Sequence, residues 1–322
     1  MRRRDIIALL GSSLIAQPLA ARAQQKAMPV IGVLSSGESR PDGGFYQGLR
    51  EFGYVEGKNL SIEYRWAEGN YDRLPALAED LVNRKVAVIA TIGMPATLAV
   101  KKATTTIPIV FNVGTDPVAD GLVDSLSRPV GNLTGVTVIS VELMPKRLEL
   151  LSELLPQARV FALLVHPSNM SAVPQSRKLQ EAARRKGVLL NVLNASTESD
   201  IDTAFAGLAQ LHTDALIVGT DVFFVSRSEQ LVALAERYAI PAIYEVRAFA
   251  MAGGLISYGP SLMALNREAG MYTGKILNGI TIASLPIIQP TKFELVINLK
   301  TAKALGLAIP QMLLASADEI ID

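Results

Sequence analysis

The sequence predicts an α/β chain built as two doubly wound parallel-sheet lobes, and three observations carry that expectation. Apolar residues are 49% of the 322 and aromatics only 6%, the aliphatic-rich balance of parallel sheets covered by helices on both faces. β-Branched runs alternate with amphipathic stretches along the chain. The alternation pauses around 131–137 and restarts at Val160, which makes two strand–helix series, each long enough for its own sheet.

Residues 30–34 read as a buried strand, 41–52 as a helix stopped at Gly53, and 60–65, which alternates, as a strand near an edge. Residues 71–84 place Leu74, Leu77, Ala78, Leu81 and Val82 on one helical face. Strand 86–90, helix 95–103 and strand 107–111 complete the first series. The second runs through strand 160–165, helix 170–186 closed by Gly187, strand 188–193, helix 201–211, strand 215–218, helix 227–238 and strand 241–244. Extended segments at 131–137, 255–260 and 293–298 are expected to cross between lobes as hinges, with 261–278 a long helix. The expected division is an export signal over 1–23, a first lobe over 28–136 plus 257–292, and a second over 137–256 plus 293–322.

The N-terminus has the order an export signal requires: basic Arg2-Arg3-Arg4, an apolar stretch over 6–21, then Ala21-Arg22-Ala23. Arg3-Arg4-Asp5-Ile6-Ile7 fits the twin-arginine pattern; a general secretory signal shares its basic start. The apolar stretch holds Gly11 and Pro18 and falls short of a span of roughly 20 apolar residues. With no cysteine, disulfides, thiolate metal sites, a cysteine nucleophile and a lipoprotein anchor are excluded. The expectation is a free, soluble, monomeric product in the periplasm, with no membrane span. The chain carries +1 overall, +3 of it before Gln24, leaving −2 beyond. Such a balance gives no broad footprint for nucleic acid.

In open parallel sheets, ligands bind beyond the carboxyl ends of the strands. Two facing lobes bring those loops together. The first lobe offers Ser35, Ser36, Trp66, Gly93, Thr97, Asn112, Thr115 and Asp116; the second offers His166, Asn169, Thr220, Asp221 and Glu245. Pro95 and Pro117 sit at expected first helical positions, which leave following amides open to an anion. Asp116 either fills its own cap or meets a ligand ammonium. Hydroxyls and amides outnumber basic residues in these loops, favouring a neutral or zwitterionic ligand. His166 and His212 are the only histidines and stand too far apart for a zinc or hydrolytic centre. There is no phosphate-binding G-x-x-x-x-G-K-[ST] run and no G-x-S-x-G elbow. No catalytic residue, metal or cofactor is expected, and the chain reads as a binding protein, not an enzyme.

Several stretches together resemble the ABC-transporter substrate-binding proteins of the tryptophan/tyrosine-type uptake family. They are the Arg3-Arg4 signal through Gln24-Gln25, Trp66-Ala67-Glu68-Gly69, Gly131-Asn132-Leu133-Thr134-Gly135, and Phe293 through Gly306. The resemblance implies a type I periplasmic binding fold with three crossovers and a cleft closing on a small ligand. It also implies an ABC permease in the inner membrane as partner; some relatives bind aromatic amino acids. Two other readings share the fold: a periplasmic sensing module for a membrane receptor, which gene neighbourhood distinguishes, and a secreted α/β enzyme, which turnover by pure protein distinguishes.

Overall fold

The computed structural model describes residues 28–38 and 41–322; the export signal expected over 1–23 lies outside them. The first series forms β1 (Val30–Ser35), α1 (Gly43–Glu51), β2 (Ser61–Trp66), α2 (Leu74–Asn83), β3 (Val88–Ile92), α3 (Met94–Ala103), β4 (Ile109–Val113) and β5 (Leu133–Thr137). A 3-10 turn over Tyr71–Arg73 leads into α2. The five strands are all parallel, in the order β2-β1-β3-β4-β5. β2 holds the edge, as its alternation predicts.

The second series opens with a 3-10 turn over Ser140–Leu143 and continues as α4 (Met144–Leu154), β6 (Val160–Val165), α5 (Ala172–Lys186), β7 (Leu189–Asn194), α6 (Glu198–Leu208), β8 (Ala215–Val218), α7 (Val222–Ser226), α8 (Ser228–Arg237), β9 (Ala242–Tyr244), α9 (Arg247–Met251) and β10 (Ile256–Pro260). The chain then makes α10 (Leu262–Leu277), β11 (Phe293–Asn298), α11 (Leu299–Ala304), α12 (Gln311–Ser316) and β12 (Glu319–Ile321). The second sheet runs β12-β11-β10-β9-β8-β6-β7, with β11 antiparallel to β10. Helix ends follow their chemistry. Gly187 closes α5 at φ +71, in the left-handed cap that favours glycine. Thr197 and Asp200 form a reciprocal capping box on α6.

Pairing corrects the three expected hinge strands. Residues 133–137 are a full member of the first sheet, paired to β4, and all five residues are buried. Residues 256–260 and 293–298 pair with each other in the second sheet, so 257–260 do not go with the first lobe as expected. The chain passes between lobes at three shorter places. The first follows β5, where Ile139 takes φ +49, a strained left-handed conformation for a β-branched residue. The second lies between β10 and α10, which packs on α1. The third follows Ile288, whose carbonyl accepts from Thr137 N–H, and leads into β11.

Helices α1 and α10 meet at backbone contact. A Cβ on Gly48 would lie 2.1 Å from Arg267 O, and one on Gly270 would lie 2.1 Å from Phe45 O. That contact anchors the returning helix to the first lobe beside buried Phe45, Leu49, Ala269 and Tyr272.

Candidate ligand-binding cleft

In each sheet the strand order reverses next to the first strand of the series, between β1 and β3 and between β6 and β8. A crevice forms at such switch points, outside the carboxyl ends of the strands. The two crevices face each other across a cavity of about 240 Å³. Ser35, Gly93, Asn112 and Thr115 line it from the first lobe; Asn169, Thr220, Asp221 and Glu245 line it from the second. Aliphatic walls come from Ile92, Met94, Val113, Val138, Val222, Val225, Val246 and Leu262. Among the described residues, no lysine, arginine or aromatic side chain lines it.

The second-lobe floor is a network of buried charge. Asp221 caps α7, its Oδ1 accepting from Phe223 N–H at 2.7 Å. Burial pushes its carboxyl above the usual carboxylate range, although His166 and hydrogen bonds from Asn169, Phe223 and Tyr71 pull the other way. Glu245 is raised for the same first reason, with the Arg147 charge opposing. Its Oε1 accepts from Ser140 Oγ at 3.0 Å, which ties the cleft floor to the first crossover. Arg147 on α4 is 0% exposed. It donates to Tyr258 O at 3.0 Å and to Thr220 Oγ1 at 3.1 Å. Its guanidinium lies beneath the floor, where burial lowers its pKa and the Glu245 charge raises it. Gln175 clamps Thr220 from both sides, accepting from its N–H at 2.7 Å and donating to its carbonyl at 3.1 Å.

The first-lobe wall is more neutral. Asn112 donates to Asn266 Oδ1 of α10 at 2.9 Å. Ser35 Oγ accepts from Gly37 N–H at 3.1 Å. Thr115 is buried at 6% exposure, and its hydroxyl has no hydrogen-bond partner among the described residues.

Five expected site residues stand off the cavity. Ser36 Oγ accepts from Ala96 N–H at 3.2 Å, so one of the amides expected to stay open at the start of α3 is already taken. Thr97 bonds Thr91 Oγ1 at 2.8 Å and Gly93 O at 2.9 Å. Trp66 stacks on Tyr64 with ring centres 5.4 Å apart. Asp116 accepts from Val118 and Ala119 N–H; it turns the chain there, and the helix expected after Pro117 does not form. His166 is buried between Tyr71 and Phe223. Six polar residues at or behind the cavity escaped the sequence reading: Asp42, Ser171 and Asn266 on its wall, and Tyr71, Arg147 and Gln175 around it. For Arg147 a signal existed. It falls on the same helical face as Met144, Leu148 and Leu151, where a charge calls for a buried partner.

Residues 30–321 match the family model described as ABC transporter substrate binding protein. The chain is 30% identical over 265 residues to a tyrosine-binding protein of Clostridioides difficile, covering 82% of this chain and 76% of that one. Among solved structures, a conserved domain protein from Vibrio cholerae aligns at 29% identity and TM-score 0.83, over 91% of this chain and 99% of that one. A ligand-free, open substrate binding protein from Clostridium difficile aligns at 26% and 0.62, with the same coverage. An ABC domain from Streptococcus pneumonia in complex with L-Trp aligns at 24% and 0.80, again over 91% and 99%. The fold is that of a type I periplasmic binding protein. The chain belongs to the ABC transporter substrate binding protein family.

Proposed function

We propose that the protein is the periplasmic solute-binding subunit of an ABC uptake transporter and that its ligand is an amino acid held as a zwitterion. One observation carries the ligand class: two buried carboxylates, Asp221 and Glu245, stand in the cleft wall over a single buried guanidinium, Arg147. Two negative charges against one favour a ligand that brings a positive group. The partnerless Thr115 hydroxyl on the facing lobe offers a hydrogen bond to the ligand's other end, and the aliphatic walls take an apolar side chain. The names of relatives point the same way, one to tyrosine and one to tryptophan. The closed form, with ligand buried between lobes, is the form presented to the permease. The ligand shifts the lobes further towards closure only by its tighter binding to that form. The signal-like N-terminus and the family support a periplasmic location; recovery of the protein only from the cytoplasmic fraction of its cells would count against it.

Titration calorimetry tests the ligand class. L-Tyrosine and L-tryptophan are expected to bind in the micromolar range or tighter, about −8 kcal/mol. Their des-amino analogues are expected to bind at least a hundredfold more weakly, since the ammonium is the group the acidic floor selects. Equal affinity for an amino acid and its des-amino analogue would remove the proposal.

A further inference from the structure

Tyr71 stands at the turn after β2, in the first lobe, yet its hydroxyl reaches across to the second. It donates to Asp221, at 2.8 Å from Oδ1 and 3.0 Å from Oδ2. Its ring stacks on His166 with centres 4.5 Å apart and planes 24° from parallel, and His166 meets Phe223 edge-on at 5.5 Å. The approach is close because the neighbouring loop residue is Gly69. At φ +78, a Cβ there would lie 2.6 Å from Phe223 Cδ2.

Asp221 is therefore heavily subscribed by the protein itself. Oδ1 also accepts from Phe223 N–H and Oδ2 from Asn169 Nδ2. A carboxylate offers about four lone-pair sites; Phe223 and Asn169 take one on each oxygen, and the Tyr71 hydroxyl sits between the two oxygens. We propose that Tyr71 is the positioning residue for cleft closure and that Asp221 is its seat in the opposite lobe, not the ligand's own hydrogen-bond partner. The ligand's ammonium then goes to Glu245, the other buried carboxylate in the wall; Asp42, which also lines the cavity, is half-buried and caps α1 through Gly44 N–H. This assignment rests on the zwitterion reading and sharpens it: Asp221 reports closure, and Glu245 reads the ligand.

The test is a double-mutant cycle on the full chain, with L-tyrosine and 3-(4-hydroxyphenyl)propanoate as probes. Tyr71→Phe is expected to raise the L-tyrosine dissociation rate about tenfold, the size of one lost hydrogen bond to a charged group, with association nearly unchanged. Asp221→Asn should do the same, and Tyr71→Phe/Asp221→Asn should be no worse than the weaker-binding single variant. Asp221→Asn should keep the preference for L-tyrosine over the des-amino probe. Additive losses in the double variant, or loss of that preference, would show Asp221 holding the ligand directly and overturn the proposal. A readout free of ligand separates this from the functional reading. In small-angle scattering of the unliganded protein, Tyr71→Phe should have a larger radius of gyration than the wild type. If wild type binds neither amino acid, the zwitterion reading falls and this comparison still decides; equal radii overturn the latch.

Discussion

Asp221 shows how one buried carboxylate makes stability and binding respond oppositely to pH. Burial raises its folded-state pKa above the ordinary carboxylate value of about 3.9. A group raised in this way binds its proton more tightly folded than unfolded. Its stabilising contribution is complete below the unfolded pKa and is lost as pH rises through the folded one. Glu245 has the same sign, while Glu38 and Glu319, held low by their arginine partners, pull the other way. The difference between wild type and Asp221→Asn isolates the residue. In thermal melts without ligand, the variant should gain on the wild type by a few degrees as pH rises from 4 to 7. Ligand affinity of the wild type should meanwhile fall towards pH 4, as the carboxylates take up protons. Parallel melting curves across that range would contradict the account. Ser35, Gly93, Asn112, Thr115, Asn169, Thr220, Asp221 and Glu245 line the cavity, and their place at or just beyond a strand's carboxyl end was legible in the sequence. Tyr71 was not. Its role depends on a partner 150 positions away, and no local pattern marks that pairing.

Strands and helices were legible wherever the apolar period was unbroken. β6 and β8 occupy the residues expected, 160–165 and 215–218, since buried parallel strands are continuous apolar runs. The hinge segments were harder to place. Residues 131–137 carry two glycines and read as a hinge strand crossing between lobes, yet 133–137 pair with β4 inside the first sheet. Periodicity reports burial, and does not report which neighbour does the burying. The glycines of α1 and α10 carry the same lesson. Gly48 reads as a weak point in a helix, but a Cβ there would collide with the Arg267 carbonyl at 2.1 Å. Gly48→Ala should therefore cost about 1–3 kcal/mol in urea unfolding, as overpacking does. Gly207, in α6, has nothing within 4 Å of its would-be Cβ. Gly207→Ala should instead stabilise by about 0.5–1 kcal/mol. Equal effects from the two substitutions would refute the backbone contact as the reason for Gly48.

The lobes stand closed on each other. Besides Tyr71 on Asp221, Arg227 pairs with Glu38 across the gap, Nη1 lying 2.7 Å from Oε2, and a Cβ on Gly37 would lie 2.8 Å from Val222 Cγ1. These contacts run along one rim of the cleft. At the second-lobe floor, Ser140 bonds Glu245, and Arg147 behind it bonds Tyr258 O, beside the crossovers at Ile139 and Pro260. Ligand charge and hinge conformation thus meet at one carboxylate, and small changes at a packed floor can move whole lobes. The most direct test is a crystal structure of the complex with whichever of L-tyrosine and L-tryptophan binds more tightly. The account predicts the ligand between closed lobes, with its ammonium within about 3 Å of a Glu245 carboxylate oxygen and Tyr71 still seated on Asp221. A ligand whose carboxylate faces Glu245, or one bound outside the cleft, would contradict it.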